Sequence, residues 1–188
     1  MPGDYRVEGY AIVSADGMIA DSSGWMPNSL MFESDKQFFS QALDRADAVV
    51  NGRHSHEGQP NSPLRKRLVL TRKIATLATD PENPRALLWN PAGAGFEEAC
   101  RALGLASGTI AIVGGPETFT LFLETGYDAF FLCRADSVSL PDGVPIFLQG
   151  KSGMSPDQLL SDFGLEPSAS EALDERVQLV TWTRKAQS

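Results

Sequence analysis

Three stretches of this 188-residue chain place anion-binding groups where a strand pattern stops. The first is Val113-Gly114-Gly115-Pro116-Glu117-Thr118. Two glycines between a strand and a helix let backbone approach a ligand closely, and the free N–H groups of the helix start attract phosphate. The same pair also makes a plain tight turn. The second is Asn51-Gly52-Arg53-His54-Ser55-His56-Glu57, where a strand ends in Gly and a guanidinium, an imidazole and a hydroxyl follow in succession. Such a run can fork around a phosphate, with Arg giving paired contacts and Ser capping a helix start. Its bland counterpart is a solvated loop in which His54 and His56 do nothing. The third is Leu70-Thr71-Arg72, again a hydroxyl and a guanidinium at a strand's end. Three converging anion sites suit a dinucleotide carrying an extra ribose phosphate. The spacing does not match G-x-G-x-x-G, which argues against a Rossmann cofactor fold.

Charge supports a local anion site more than a broad one. The chain has 16 basic and 24 acidic residues, a net charge of −8, which argues against the basic face that nucleic acid requires. Five of those sixteen basic groups, Arg65, Lys66, Arg67, Arg72 and Lys73, fall within nine residues. A positive island on an acidic protein focuses field on a small anion, although stray charge at a solvated strand end gives the same pattern. Cys100 and Cys133 form no CxxC pair and His54 and His56 are the only histidines, so neither a disulfide framework nor a metal centre is expected. No apolar run approaches the ~20 residues of a membrane span, and Met1-Pro2-Gly3-Asp4 is not the start of a signal peptide. The expectation is one cytoplasmic domain over residues 1–188, with no membrane or nucleic-acid partner.

The elements that must carry these groups alternate. Strand patterns cover Tyr5–Ser14, Asp47–Gly52, Leu68–Thr71, Ala86–Trp89, Thr109–Val113, Ala129–Cys133 and Val177–Thr183. Helical spacing appears through Phe38, Phe39, Ala42, Leu43 and Ala46, with Ser34 or Asp35 as cap; through Phe96, Ala99, Cys100 and Leu103, ending at Gly104; and through Phe119, Phe122 and Leu123, between Pro116 and Gly126. Strands alternating with helices predict an α/β three-layer fold with a mixed, mostly parallel sheet and helices on both faces. The last two strand patterns have no clear helix between them, which predicts an antiparallel hairpin at one edge.

The order of segments resembles the dihydrofolate reductase superfamily, including the reductase domain of bacterial riboflavin biosynthesis. The matching pieces are Ser14-Ala15-Asp16-Gly17-Met18-Ile19-Ala20, Asp35-Lys36-Gln37-Phe38-Phe39, Ala46-Asp47-Ala48-Val49-Val50-Asn51-Gly52-Arg53, Leu68-Val69-Leu70-Thr71-Arg72, Ile112-Val113-Gly114-Gly115, and Gly126-Tyr127-Asp128 with Pro145-Ile146-Phe147. Together they span residues 5–185.

The resemblance implies an NADPH site. Gly52, Arg53 and His54 fall where the family meets the adenosine 2′-phosphate, and Ser55 adds a phosphate contact. Thr71 and Arg72 flank the adenine ribose and the same phosphate. Val113, Gly114 and Gly115, with the helix start Glu117, Thr118 and Phe119, hold the pyrophosphate, and backbone at Ala11 and Ile19 holds the nicotinamide carboxamide. The reaction implied is hydride transfer to a C=N bond of a heterocycle. Asp35 is the candidate proton carrier and Phe39, one helical turn on, the ring that packs on substrate. Asp35 as a mere helix cap is the alternative, and Glu33 is a second candidate acid.

The substrate divides the subfamilies. Arg65 falls near the position where folate enzymes bind a glutamate carboxylate, which favours a folate or pteridine. Leu140-Pro141-Asp142-Gly143-Val144-Pro145-Ile146-Phe147 looks more like the riboflavin type, yet Val113 replaces the glutamate usual before the glycine pair there. Cys133 stands where a folate enzyme carries a hydroxyl. A non-catalytic nucleotide-binding module on the same fold is the competing reading, with a pure interaction domain a distant third. The strands Ala129–Cys133 and Val177–Trp182 either supply a homodimer interface or are buried within one subunit.

Overall fold

The computed structural model describes residues 4–55 and 57–186; His56 and the short terminal segments lie outside the described residues. In chain order the elements are β1 (Asp4–Ser14), β2 (Met18–Ala20), α1 (Glu33–Arg45), β3 (Ala48–Gly52), β4 (Arg67–Leu70), β5 (Leu77–Thr79), β6 (Ala86–Trp89), α2 (Phe96–Ala102), β7 (Ser107–Ile112) and α3 (Pro116–Thr125). They continue with β8 (Ala129–Ala135), β9 (Val144–Pro145), α4 (Pro156–Asp162), β10 (Leu165–Pro167), β11 (Glu171–Ala172) and β12 (Val177–Arg184).

The main sheet runs β10-β12-β8-β1-β7-β3-β4-β6-β5, with β11 also on β12. From β8 through β6 every pairing is parallel. The expected antiparallel edge is there, β12 against β8, but β5 against β6 makes the opposite edge antiparallel as well. A separate two-stranded ribbon joins β2 to β9.

Period-two alternation explains the layers. Along β1, Val7 and Val13 pack with Ile110, Ile112, Phe130 and Leu132 beneath α2, α3 and α4, which contribute Cys100, Phe122 and Leu160. Tyr10 turns the other way and joins Val49 and Ala111 under α1, where Ala42 and Leu43 close the layer. A sheet covered on both faces needs apolar residues at nearly every position, which is why these strands read as unbroken apolar runs.

The sequence expectations need three corrections here. Neither Ser34 nor Asp35 caps α1: the cap position is Phe32 and makes no side-chain cap bond, so both residues lie inside the first turn. Ser34 Oγ instead donates to Asp174 Oδ2 at 2.6 Å, tying the turn before β12 to the helix. No helix begins at Ser55; residues 53 and 54 form a turn that Ser55 N closes on Gly52 O at 3.0 Å. A helix, α4, does separate the last long strands, started by Ser155, whose hydroxyl accepts from Gln158 N. Of the two alternatives for the strands Ala129–Cys133 and Val177–Trp182, burial within one subunit is what Phe130, Leu132, Val177, Leu179 and Trp182 show, with β8 an interior strand. Among the described residues no helix is long and apolar enough to cross a membrane.

Candidate active site

Parallel strands present their carboxyl ends on one side of the sheet, and a cleft of about 490 Å³ opens there. One wall comes from β1 and β2 (Tyr10, Ala11, Ile12 and Ile19), one from α1 (Asp35, Lys36, Phe38, Phe39), and one from β8 (Phe131, Cys133). The far end is formed by Val113, Gly114, Gly115 and Phe119, with Ser55 and Glu57 from the loop after β3.

The α1 end is aromatic and holds one acid. Tyr10 and Phe131 are register partners in the β1–β8 pairing and stack at 4.8 Å, with planes 5° apart. Phe38 and Phe39 lean on this pair from α1, at 6.2 and 6.5 Å from the Tyr10 ring. Asp35 and Phe39 are one turn apart on the helix and both line the cleft. Burial among these rings pushes the Asp35 carboxyl up to about 6, partly opposed by the Cys133 thiol, which hydrogen-bonds to it. A carboxyl with that value exchanges a proton near neutrality. Burial and the neighbouring Asp35 together drive the Cys133 thiol well above its ordinary range, so it stays an S–H donor. Glu33, the second candidate acid, is exposed and bonded to Gln37 on its own helix, away from the cleft.

The opposite end is a cradle of backbone. Gly114 and Gly115 are joined by a cis peptide bond, and Gly114 has φ +117°. Gly52 N donates to Gly114 O at 2.7 Å, which brings the ends of β3 and β7 together. A Cβ on Gly115 would sit 2.9 Å from Ser55 Oγ, and one on Gly52 would sit 3.2 Å from Thr118 Oγ1. Either would fill the gap where these segments meet. Thr118 Oγ1 is buried, with the residue 1% exposed, and has no hydrogen-bond partner among the described residues. Gly115 is the α3 cap and makes no side-chain cap bond, so the helix start faces the cradle unblocked. A phosphate-bearing cofactor fits this arrangement of free N–H groups, an orphaned hydroxyl and missing Cβ atoms.

The flanking cations divide. Arg53 and His54 lie exposed at the end of β3. Thr71, at the end of the adjacent β4, is buried and its Oγ1 accepts from Lys73 N at 3.2 Å. Arg72 Nη2 reaches Glu117 Oε1 at 2.5 Å, across from β4 to α3. Thus the three strand ends do come together.

Arg65 does not join them. It is 7% exposed, and its two terminal nitrogens donate to Glu57 Oε1 and Asp44 Oδ1, each at 2.7 Å. Arg67, equally buried, donates to Asn51 Oδ1, Glu57 Oε2 and Ser62 Oγ. A guanidinium already forked by two carboxylates of its own chain has no fork left for a substrate carboxylate. The positive island therefore shrinks: two of its five charges are spent inside the protein, and a third faces Glu117.

Glu57 is the hinge of this network, with a side chain 1% exposed between both arginines. Burial raises its carboxyl, but hydrogen bonds from Arg67 and Arg65 outweigh it and hold the group below its ordinary range. Asn51 extends the network to the phosphate end, since its Nδ2 donates to the Gly52 and Ser55 carbonyls at 2.9 Å. Sequence reasoning missed Glu57 and Asp44 as partners and Tyr10, Phe38 and Phe131 as walls. Only Phe38 carried a signal, being on the same helical stripe as Phe39.

No protein-family model matches the chain, and no curated protein matches it either. Solved structures do. A protein assigned to riboflavin biosynthesis from Shewanella sp. PV-4 is 22% identical, with a TM-score of 0.65 over 96% of this chain and 99% of that one. Dihydrofolate reductase from Enterococcus faecalis, solved in complex with NADP(H), is 17% identical, with a TM-score of 0.61 over 95% of this chain and 96% of its own. A pyrimidine reductase-like protein from Corynebacterium diphtheriae is 15% identical, with a TM-score of 0.65 over 97% and 92%. The chain shares its fold with these three structures, a dihydrofolate reductase among them, as the order of segments led us to expect.

Proposed function

From that fold we propose that the protein is an NADPH-dependent reductase of a small, planar nitrogen heterocycle, pteridine-like or pyrimidine-like. The observation that carries the reading is Asp35, an acid with a value of about 6 in an aromatic cleft whose other end is a backbone phosphate cradle. When bound, the cofactor supplies the hydride and leaves the protein to bind, orient and manage a proton.

In this reading Gly114, Gly115 and the start of α3 hold the pyrophosphate, with the Thr118 hydroxyl beneath it. Arg53, His54, Ser55, Thr71 and Arg72 surround the adenosine 2′-phosphate, and Ala11 and Ile19 bracket the nicotinamide. The rings of Phe39, Phe38 and Phe131 sandwich a flat substrate and exclude water from Asp35. Protonated Asp35 donates to a ring nitrogen and recovers its proton from solvent after product leaves. Cys133 fixes the carboxyl's orientation through its thiol hydrogen bond. With Arg65 sequestered, a glutamate tail on the substrate gains nothing from it, which favours compact substrates over long folates.

The test has two halves. NADPH titrated against the protein should quench tryptophan fluorescence and raise the melting temperature; neither change at millimolar cofactor removes the reading. NADPH oxidation is then followed across a panel of pteridines and aminopyrimidines with wild type and Asp35→Asn. Turnover lost in the variant supports the assignment, whereas tight binding with no turnover on any ring leaves a cofactor-binding module.

A further inference from the structure

We infer that the Arg72–Glu117 pair is a discriminator between the phosphorylated and unphosphorylated nicotinamide cofactors, with Glu117 the residue that holds the preference for NADPH in check. The inference rests on the cofactor reading above. Arg72 leaves the end of β4 and Glu117 sits in the first turn of α3, so their contact at 2.5 Å spans the mouth of the cradle over β3, the strand between β4 and β7. Both side chains are largely exposed, 77% and 63%, and nothing else bonds the Glu117 carboxylate among the hydrogen bonds of the described residues. Exposed pairs of this kind are weak enough for a ligand to exchange partners with them.

The two cofactors ask for opposite members of the pair. A 2′-phosphate is a dianion that competes with Glu117 for Arg72, and on winning it leaves a carboxylate facing a phosphate. An unphosphorylated ribose presents hydroxyl donors, for which a carboxylate is the matching acceptor, as acidic residues are in other nucleotide sites. Arg72 thus favours one cofactor and Glu117 the other, and their mutual contact ties the two preferences together. The buried Thr118 hydroxyl next to Glu117, without a partner among the described residues, marks the same helix start as a ligand-facing one.

The experiment measures dissociation constants of NADPH and NADH by fluorescence for wild type, Glu117→Gln, Arg72→Ala and the double variant. Glu117→Gln should tighten NADPH and weaken NADH, raising the NADPH preference about fivefold, the scale of one contact-range charge interaction in water. Arg72→Ala should lower that preference by a similar factor. In the Glu117→Gln background, Arg72→Ala should cost more NADPH affinity than it does in wild type, because no internal competitor remains. An unchanged NADPH-to-NADH ratio in both single variants, with wild type binding normally, overturns this inference and spares the cofactor reading. A wild type that binds neither cofactor overturns both. Circular dichroism on the four proteins ensures that altered ratios reflect the site, since both side chains are on the surface.

Discussion

Replacing Asp35 by Asn should stabilise the protein at alkaline pH while removing the proposed reductase activity. The ordinary carboxyl value of 3.8 rises to about 6 in the fold. Each pH unit of separation is worth about 1.4 kcal/mol, so ionising Asp35 in the folded chain costs about 3 kcal/mol more than in the unfolded one. Between the two values the folded state binds the extra proton, so this group's contribution to stability falls as pH rises through that window. Above about pH 6 the cost is present in full, and below about pH 4 it vanishes because both states are protonated. Asn keeps the shape and accepts the Cys133 thiol without the charge. Urea unfolding should therefore show the variant about 2–3 kcal/mol more stable than wild type near pH 8, with the gap closing toward about pH 4. Turnover should drop at least about 100-fold. A gap that is the same at both ends, or a variant less stable near pH 8, would refute the claim that the cleft penalises this charge.

Other consequences can be measured on the same material. If protonated Asp35 is the donor, turnover falls as pH rises through about 6, and a rate that climbs across this range contradicts it. Cys133→Ala deletes the bond that favours the ionised carboxyl, so the falling limb of the pH–rate profile should move to higher pH. Arg53→Ala should weaken NADPH by about tenfold or more, the worth of a charge-assisted contact, and NADH far less; equal losses give Arg53 another job. Gly115→Ala should weaken NADPH, because its new Cβ would sit 2.9 Å from Ser55 Oγ and narrow the cradle. Glu57→Gln strips charge from between two buried arginines and should cost about 3–5 kcal/mol in unfolding experiments; in wild type the stabilisation from this lowered carboxyl is lost only as pH falls below the ordinary carboxylate range.

What was legible in the sequence follows from burial. β1, β3, β7 and β8 are covered on both faces, so each prints an apolar run, and the alternation with helical stripes gives the layers. β5, β10 and β11 are two or three residues long at the sheet margins and carry no pattern. α4 buries only Pro156, Leu159 and Leu160, too few for a stripe, although Ser155-Pro156-Asp157-Gln158 has the form of a capping box. Within the site, Asp35 and Phe39 were readable because one helical turn relates them. Arg65 was misread because a lone arginine in sequence looks like free charge, and its partners are eight and 21 residues upstream. The Tyr10–Phe131 stack likewise depends on the register of two strands 121 residues apart.

The position of β1 has a consequence for synthesis. It is made before both strands that flank it, yet it lies in the interior of the sheet, where Asp4 pairs with Ser107 and Glu8 with Ala129. A nascent chain must carry the sticky Tyr10-Ala11-Ile12-Val13 segment unpaired through roughly a hundred further residues, which favours slow maturation and invites chaperones during translation. Ribosome-bound fragments that end before β8 lack Phe131 and Cys133, so one wall of the cleft is missing until that strand has emerged. A nucleotide bound as proposed should therefore raise the refolding yield of the whole chain more than that of fragments ending before β8.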